Sequence, residues 1–191
     1  MSSRREFNTE EIRSLLVELG RRLAAEGEHA SIYIAGGAAM AMTIDTRRVT
    51  DDVDGIFDRT NALETAADEV ASAHQLDGRW LSDAMRPYAA SASDVEATLV
   101  ELDGLSVSIA SPRHLLAMKM AAFRPEDMGD LARLFTHLAI ATPEAAVATV
   151  WEVYGDYAET AGGGSRQDFL LRARGVLDYL ASHPRESGSS P

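Results

Sequence analysis

Between Ile32 and Phe57 the chain reads IYIAGGAAMAMTIDTRRVTDDVDGIF, two short apolar runs separated by a glycine pair and an acid-rich step. The first run, residues 31–35, is of strand length and ends directly on Gly36 and Gly37. Residues 38–44 then have the alanine and methionine content of a short helix. The second run, residues 52–57, places Val53, Ile56 and Phe57 in a buried strand that carries Asp52 and Asp54. Alternate residues of a strand share a face, so the spacing predicts that both carboxylates point the same way. Two carboxylates held that close repel each other unless a cation lies between them. Mg²⁺ (or Mn²⁺) suits the position, because Mg²⁺ takes hard oxygen ligands and keeps coordination sites for phosphate. The glycines add exposed backbone N–H groups and room for a phosphate at the start of the following helix. The plainer alternatives are close helix–strand packing for the glycines and turn positions for the acids.

The basic residues carry a second signal. Of 18 lysines and arginines only Lys119 is a lysine, and it stands between Met118 and Met120 in an otherwise apolar helical stretch. A chain that builds its solvated surface from arginine has little use for a lysine there. A compact ammonium on a flexible stem suits triphosphate oxygens or a leaving pyrophosphate. The alternative is a compositional stray.

A net charge of −12 argues against broad, non-specific binding of nucleic acid, though a local basic face built from Arg4, Arg5, Arg47, Arg48, Arg113, Arg166, Arg172 and Arg174 stays open, with ordinary ion pairing on an acidic surface as the alternative. With no cysteines, disulfides and thiolate metal sites are excluded. No apolar run reaches the roughly 18–20 residues that span a bilayer, and no hydrophobic segment follows the N-terminal arginines. The expectation is a cytoplasmic protein with no membrane partner.

Along the chain, Asn8 and Glu11 form a capping box opening a helix whose Ile12, Leu15, Leu16, Leu19 and Leu23 face inward, with Gly27 ending it. Asn61 and Glu64 predict a second capping box and a helix to about residue 75. Residues 78–88 read as a loop or short helix near the site, with Trp80 as a packing anchor. Asp103 and Gly104 between residues 97–102 and 105–110 predict a two-residue hairpin. Ser111 and Pro112 cap the helix of Lys119, and Arg124 and Pro125 break it before a helix over 126–140. Further helices are expected over 142–157 and 167–181, joined by a flexible link at 161–164, with Ser165 and Asp168 as a cap. The fold class is α+β, a small mixed β-sheet with flanking helices followed by a helical C-terminal portion. Its parts are a domain over 1–140, a helical extension over 141–182 and a disordered tail over 183–191. Asp127 reads as a helix-cap acid, Asp130 equally as cap or functional acid, Arg124 as a structural partner of Asp127 or Glu126, and His114 and His137 as helix-surface or core residues.

Three blocks in this order resemble the DNA polymerase β-like nucleotidyltransferase superfamily, in particular the bacterial branch of AbiEii-type and MenT-type toxins. AGGAAM at 35–40 is similar to the glycine motif, and Arg48, Thr50, Asp52 and Asp54 resemble the metal-binding motif. LLAMKMAAFRPEDMGDL at 115–131 looks like the helical lysine-and-aspartate element, with Lys119, Arg124, Asp127 and Asp130 in matching places. The resemblance implies that residues 1–140 form a nucleotidyltransferase-like domain that binds a metal-bound NTP and attacks its α-phosphate. In that scheme Asp52 and Asp54 hold Mg²⁺, Gly36 and Gly37 line the β- and γ-phosphates, and Lys119 stabilises the triphosphate. Asp130 is then the candidate third acid, and Arg48 orients the aspartates or touches phosphate. It also implies tRNA, at its 3′ end, as an acceptor and a cognate antitoxin as a partner.

Two departures keep other functions open. Ala38 and Ala39 stand where many relatives carry a phosphate-binding hydroxyl, and the strand LSVSIA lacks the third acid of the wider superfamily. A nucleotide-binding module without catalysis, or transfer to a small molecule or protein, is the alternative.

Overall fold

The protein is described from a computed structural model over residues 5–90 and 93–183. Asn8 and Glu11 form the expected capping box of α1 (Thr9–Ala25). The chain continues through β1 (Ala30–Ile34), α2 (Gly36–Thr43), β2 (Val53–Phe57), α3 (Asn61–His74), β3 (Leu81–Ser82), β4 (Thr98–Leu102) and β5 (Leu105–Ile109). The helical part comprises α4 (Pro112–Ala122), α5 (Met128–His137), α6 (Pro143–Tyr154), α7 (Ala158–Gly162) and α8 (Arg166–Ser182). The five strands make one mixed sheet in the order β3-β2-β1-β5-β4. Within it β1 runs antiparallel to β2 and parallel to β5.

Strand alternation sorts the sheet into two faces. Ile32, Ile34, Val53, Phe57, Leu105, Val107 and Ile109 are buried on one of them. There Leu16 and Val17 of α1 lie beside Val107 and Ile109. Tyr33, Asp54, Ile56, Ser106 and Ser108 occupy the other face and are half-buried. The apolar core then continues without a break into Leu115, Leu116, Phe135, Val147, Val150, Phe169 and Val176 of the C-terminal helices. None of the helices among the described residues is long and apolar enough to cross a membrane.

Several local expectations are corrected. Thr60, not Asn61, caps α3, its hydroxyl accepting from the Leu63 N–H. Residues 78–88 hold a short 3-10 helix at Arg86–Tyr88, as expected, but also contain β3, which pairs in parallel with β2 through Val53–Leu81 and Asp54–Ser82. The expected helix over 126–140 starts as a 3-10 turn at Pro125–Asp127 and ends at His137, just before Ala139 takes a positive φ of 53°. The expected helix over 142–157 stops at Tyr154, because Gly155 adopts a φ of 58° and a ψ of −144° that no helix continues.

The expected flexible link is a packed corner. A side chain on Gly162 would fall 2.2 Å from the Phe169 ring, and Arg172 donates to the Gly162 carbonyl at 2.8 Å. The capping box of Ser165 and Asp168 is present, one residue before α8. The expected tail lies, apart from His183, outside the described residues, as does Arg4.

Candidate functional site

Strand β1 feeds directly into α2, and β2 returns antiparallel beside β1, so the acid-bearing strand comes back against the glycine pair. The contact is intimate. Gly36 has a φ of 59°, and a Cβ there would stand 2.7 Å from Asp54 Oδ2. A Cβ on Gly37 would stand 2.7 Å from the Thr50 hydroxyl and 3.5 Å from an Arg48 guanidinium nitrogen. The glycines therefore let a carboxylate, a hydroxyl and a guanidinium close on the N-terminus of α2. There the first backbone N–H groups have no partner within the helix. No side-chain hydrogen bond caps this helix, whose N-cap is Ala35.

Asp54 is the central acid. Burial pushes its carboxyl above the usual carboxylate range, and the charge of Asp51 adds to this. The Ser82 hydroxyl and the positive charges of Arg124 and Lys119 act in the opposite direction. Its Oδ1 is buried without a hydrogen-bond partner. Asp52 stands one residue before β2, in a bend, so the strict alternation expected to align it with Asp54 begins only at Val53. Thr50 shapes that bend, its hydroxyl donating to the Asp52 carbonyl at 3.1 Å. Asp51, which the sequence reading passes over, is the acid whose charge acts on Asp54.

Behind Asp54 lies a buried ion cluster. Lys119 is 5 % exposed, with its ammonium 2.5 Å from Asp127 Oδ1 and 2.9 Å from Asp130 Oδ2. Arg48 donates to Asp130 Oδ1 at 2.5 Å, with Arg133 3.6 Å from the same oxygen. Both oxygens of Asp130 are thus occupied by cations, and the residue is an anchor for Arg48 and Lys119. Asp127 makes no side-chain cap to α5, contrary to the cap expectation, and holds the lysine instead. Arg124 lies over the Tyr88 ring at 5.7 Å rather than beside Asp127 or Glu126. The Arg48 Nε, also buried, has no acceptor.

Other candidates fall away from the site. Trp80 is a packing anchor, 1 % exposed, donating to the Ala67 carbonyl. Arg172, one of the arginines proposed for a nucleic-acid face, donates to the carbonyls of Met120, Ala121 and Gly162 and packs on Phe123 and Phe169. Arg166 lies over Trp151, and Arg113 pairs with Glu152. A second polar cluster was not legible in the sequence: Tyr33, Asp94 and His114, on the same sheet face as Asp54. Its one local sign is the polar interruption of a hydrophobic strand at Tyr33.

A divalent cation would fit beside Asp54 in one specific respect. The Oδ1 of Asp54 is buried without a hydrogen-bond partner, and a cation beside it would favour the ionised carboxyl against burial. Among the described residues no three His, Asp or Glu side chains converge as a metal cage. A cation there would be held by one or two carboxylates and completed by ligand oxygens and water. Neither the models of protein families, nor the curated proteins, nor the solved structures give a match to this chain.

Proposed function

We propose that this chain is a metal-dependent nucleotidyltransferase with a polymerase β-like arrangement, moving an NMP from an NTP to an acceptor hydroxyl and releasing pyrophosphate. The observation that carries the reading is the approach of Asp54, with its unpartnered buried oxygen, to the glycine-opened N-terminus of α2. An acid on a returning strand and free backbone donors at a helix start form a mouth for a triphosphate with its cation. Asp52 and Asp54 would hold Mg²⁺ or Mn²⁺, which supplies charge neutralisation at the α-phosphate and the leaving group.

The chain's own groups do the rest. Backbone N–H groups at Gly36 and Gly37 receive the β- and γ-phosphate oxygens, which a side chain at either position would displace. Arg48, whose Nε lacks an acceptor, turns toward the same phosphates while Asp130 holds its Nη1. Lys119, engaged by Asp127 and Asp130, acts through its field, favouring the ionised form of Asp54 against burial. In the transfer itself the acceptor hydroxyl releases its proton to water as its oxygen bonds to the α-phosphorus, the bond to the bridging oxygen breaks, and pyrophosphate carries the electron pair away.

The acceptor, tRNA on the resemblance alone, is best sought through labelling, as is an antitoxin through co-purification. A binding module without turnover is favoured by one feature: Ala38 and Ala39, fully buried, put no hydroxyl in the first turn of α2. Incubation with labelled NTPs, Mg²⁺ and total RNA or lysate separates the two. Transfer of label that is lost in Asp54→Asn supports the enzyme. Tight, Asp54-dependent Mg·NTP binding without transfer supports the module, and unchanged Mg·NTP affinity in an Asp52→Asn/Asp54→Asn double variant refutes the site.

A further inference from the structure

A pocket of about 310 Å³ opens on the Asp54 face of the sheet, lined among others by Tyr33, Ile56, Ala90, Asp94, His114 and Met118. Its size and mixture of apolar walls with a few polar groups are those of a small-ligand site. Ile56 and Asp54 share a face of β2, two residues apart, so the pocket wall begins about 7 Å from the acid. Tyr33 is the register partner of Ile56 on β1 and continues the wall.

The polar end of the pocket is built rather than incidental. Asp94, with its side chain 4 % exposed, accepts from the Tyr33 hydroxyl at 2.8 Å and from the Ser111 N–H at 2.8 Å. Burial opposes its charge, yet these donors hold its carboxyl below the usual carboxylate range. His114 Nδ1 lies 3.2 Å from Asp94 Oδ1 and 3.3 Å from the Ser111 hydroxyl. Asp94 Oδ1 is itself buried and has no hydrogen-bond partner. Nε2 is buried and has no hydrogen-bond partner. Polar atoms withdrawn from water without partners are unfavourable, so the pocket is complementary to a ring that carries hydrogen-bonding groups on its edge.

We propose that this pocket is a nucleobase subsite in which the polar edge of the base hydrogen-bonds His114 Nε2, with Met118 and Ile56 against the ring and Asp94 and Tyr33 at its polar end. The identity of the ring rests on the nucleotide reading of the Asp54 mouth; the pocket and its orphan polar atoms do not. The roughly 7 Å offset along β2 is a ribose-sized step from phosphate to base. The base is that of the incoming nucleotide or of the terminal nucleotide of an acceptor, and the ligands below separate the two.

The test uses the full chain and calorimetry with Mg·tripolyphosphate, the four Mg·NTPs, and the four 5′-monophosphates without metal. His114→Phe removes the ring nitrogens, and Ala90→Trp fills the pocket from a half-buried loop position, so a folding defect in the first does not decide the matter. The nucleotides should differ among themselves in affinity for wild type, the best-bound base marking the fit of the pocket. Both variants should weaken that binding about tenfold or more while leaving Mg·tripolyphosphate unchanged. Discrimination among the Mg·NTPs assigns the pocket to the incoming nucleotide, and discrimination confined to the monophosphates assigns it to an acceptor end. If nucleotides bind both variants as tightly as wild type while Mg·tripolyphosphate still requires Asp54, the subsite is refuted and the Asp54 reading stands. If monophosphates bind in a His114-dependent way and Mg·tripolyphosphate binds nowhere, the subsite stands and the Asp54 reading falls. Binding of none of these ligands refutes both.

Discussion

Replacing Lys119 by methionine keeps the length and apolar stem of the side chain and removes only the ammonium. In the folded protein that ammonium sits between Asp127 Oδ1 and Asp130 Oδ2, at 2.5 and 2.9 Å, with the three side chains between 2 and 12 % exposed. Removing one partner of a buried ion pair leaves an uncompensated charge and costs about 3–5 kcal/mol. Here the lower end applies, because Arg48 and Arg133 continue to neutralise Asp130 and the orphan is Asp127, the more exposed of the two acids. For a chain of this size a loss of about 3 kcal/mol lowers Tm by about 6–12 °C. Urea unfolding followed by circular dichroism should show a lower midpoint at an unchanged slope. Adding Asp127→Asn to Lys119→Met removes the orphaned charge and should recover at least about 1 kcal/mol, a coupling that independent sites would not show. A loss below about 1 kcal/mol, typical of a solvated surface pair, or strict additivity in the double variant, would mean that the lysine is not held as described.

Two further changes test the mouth of the site. Gly36→Ala meets both a φ of 59° and the Asp54 carboxylate 2.7 Å from the new Cβ, so it should destabilise by about 1–3 kcal/mol and displace Asp54, measured by thermal unfolding and by loss of Mg·NTP affinity. Wild-type values for both would show that the glycine is not needed there. Asp54→Asn should raise stability at neutral pH. Burial raises the folded-state pKa of Asp54 above its unfolded value, so its contribution is fully present below the ordinary Asp range and is lost as pH rises through the folded value. The gain of the variant over wild type should therefore shrink on acidification, and a gain independent of pH between acid and neutral would refute the assignment of that charge.

What was legible in this chain is what local chemistry writes into adjacent residues. Asn8 with Glu11 and Ser165 with Asp168 cap their own helices, and Asp103 with Gly104, at a φ of 70°, turns its own hairpin. The glycine pair and the acids after it were legible in order, because a strand, a helix start and a returning strand follow one another directly. The helix break at Gly155 was missed although the residue is visible, since glycine permits a positive φ without requiring one. β3 was missed because two residues have no periodicity, and its strand character comes entirely from pairing with β2. The partners of the buried charges were hidden for a related reason. The lone lysine in an apolar helix announces that a buried cation needs partners, but not which acids supply them. Asp127 and Asp130 lie beyond the Pro125 turn, which folds the start of α5 back onto α4. Read as a helix start, that segment makes its acids caps; folded back, it makes them counter-ions. Arg48 reaches the same carboxylate across 82 positions, and Tyr33 reaches Asp94 across 61. Separations of that length leave no pattern in sequence, and so the buried charges behind Asp54 and the Tyr33–Asp94 pair are groups whose partners only the folded chain displays.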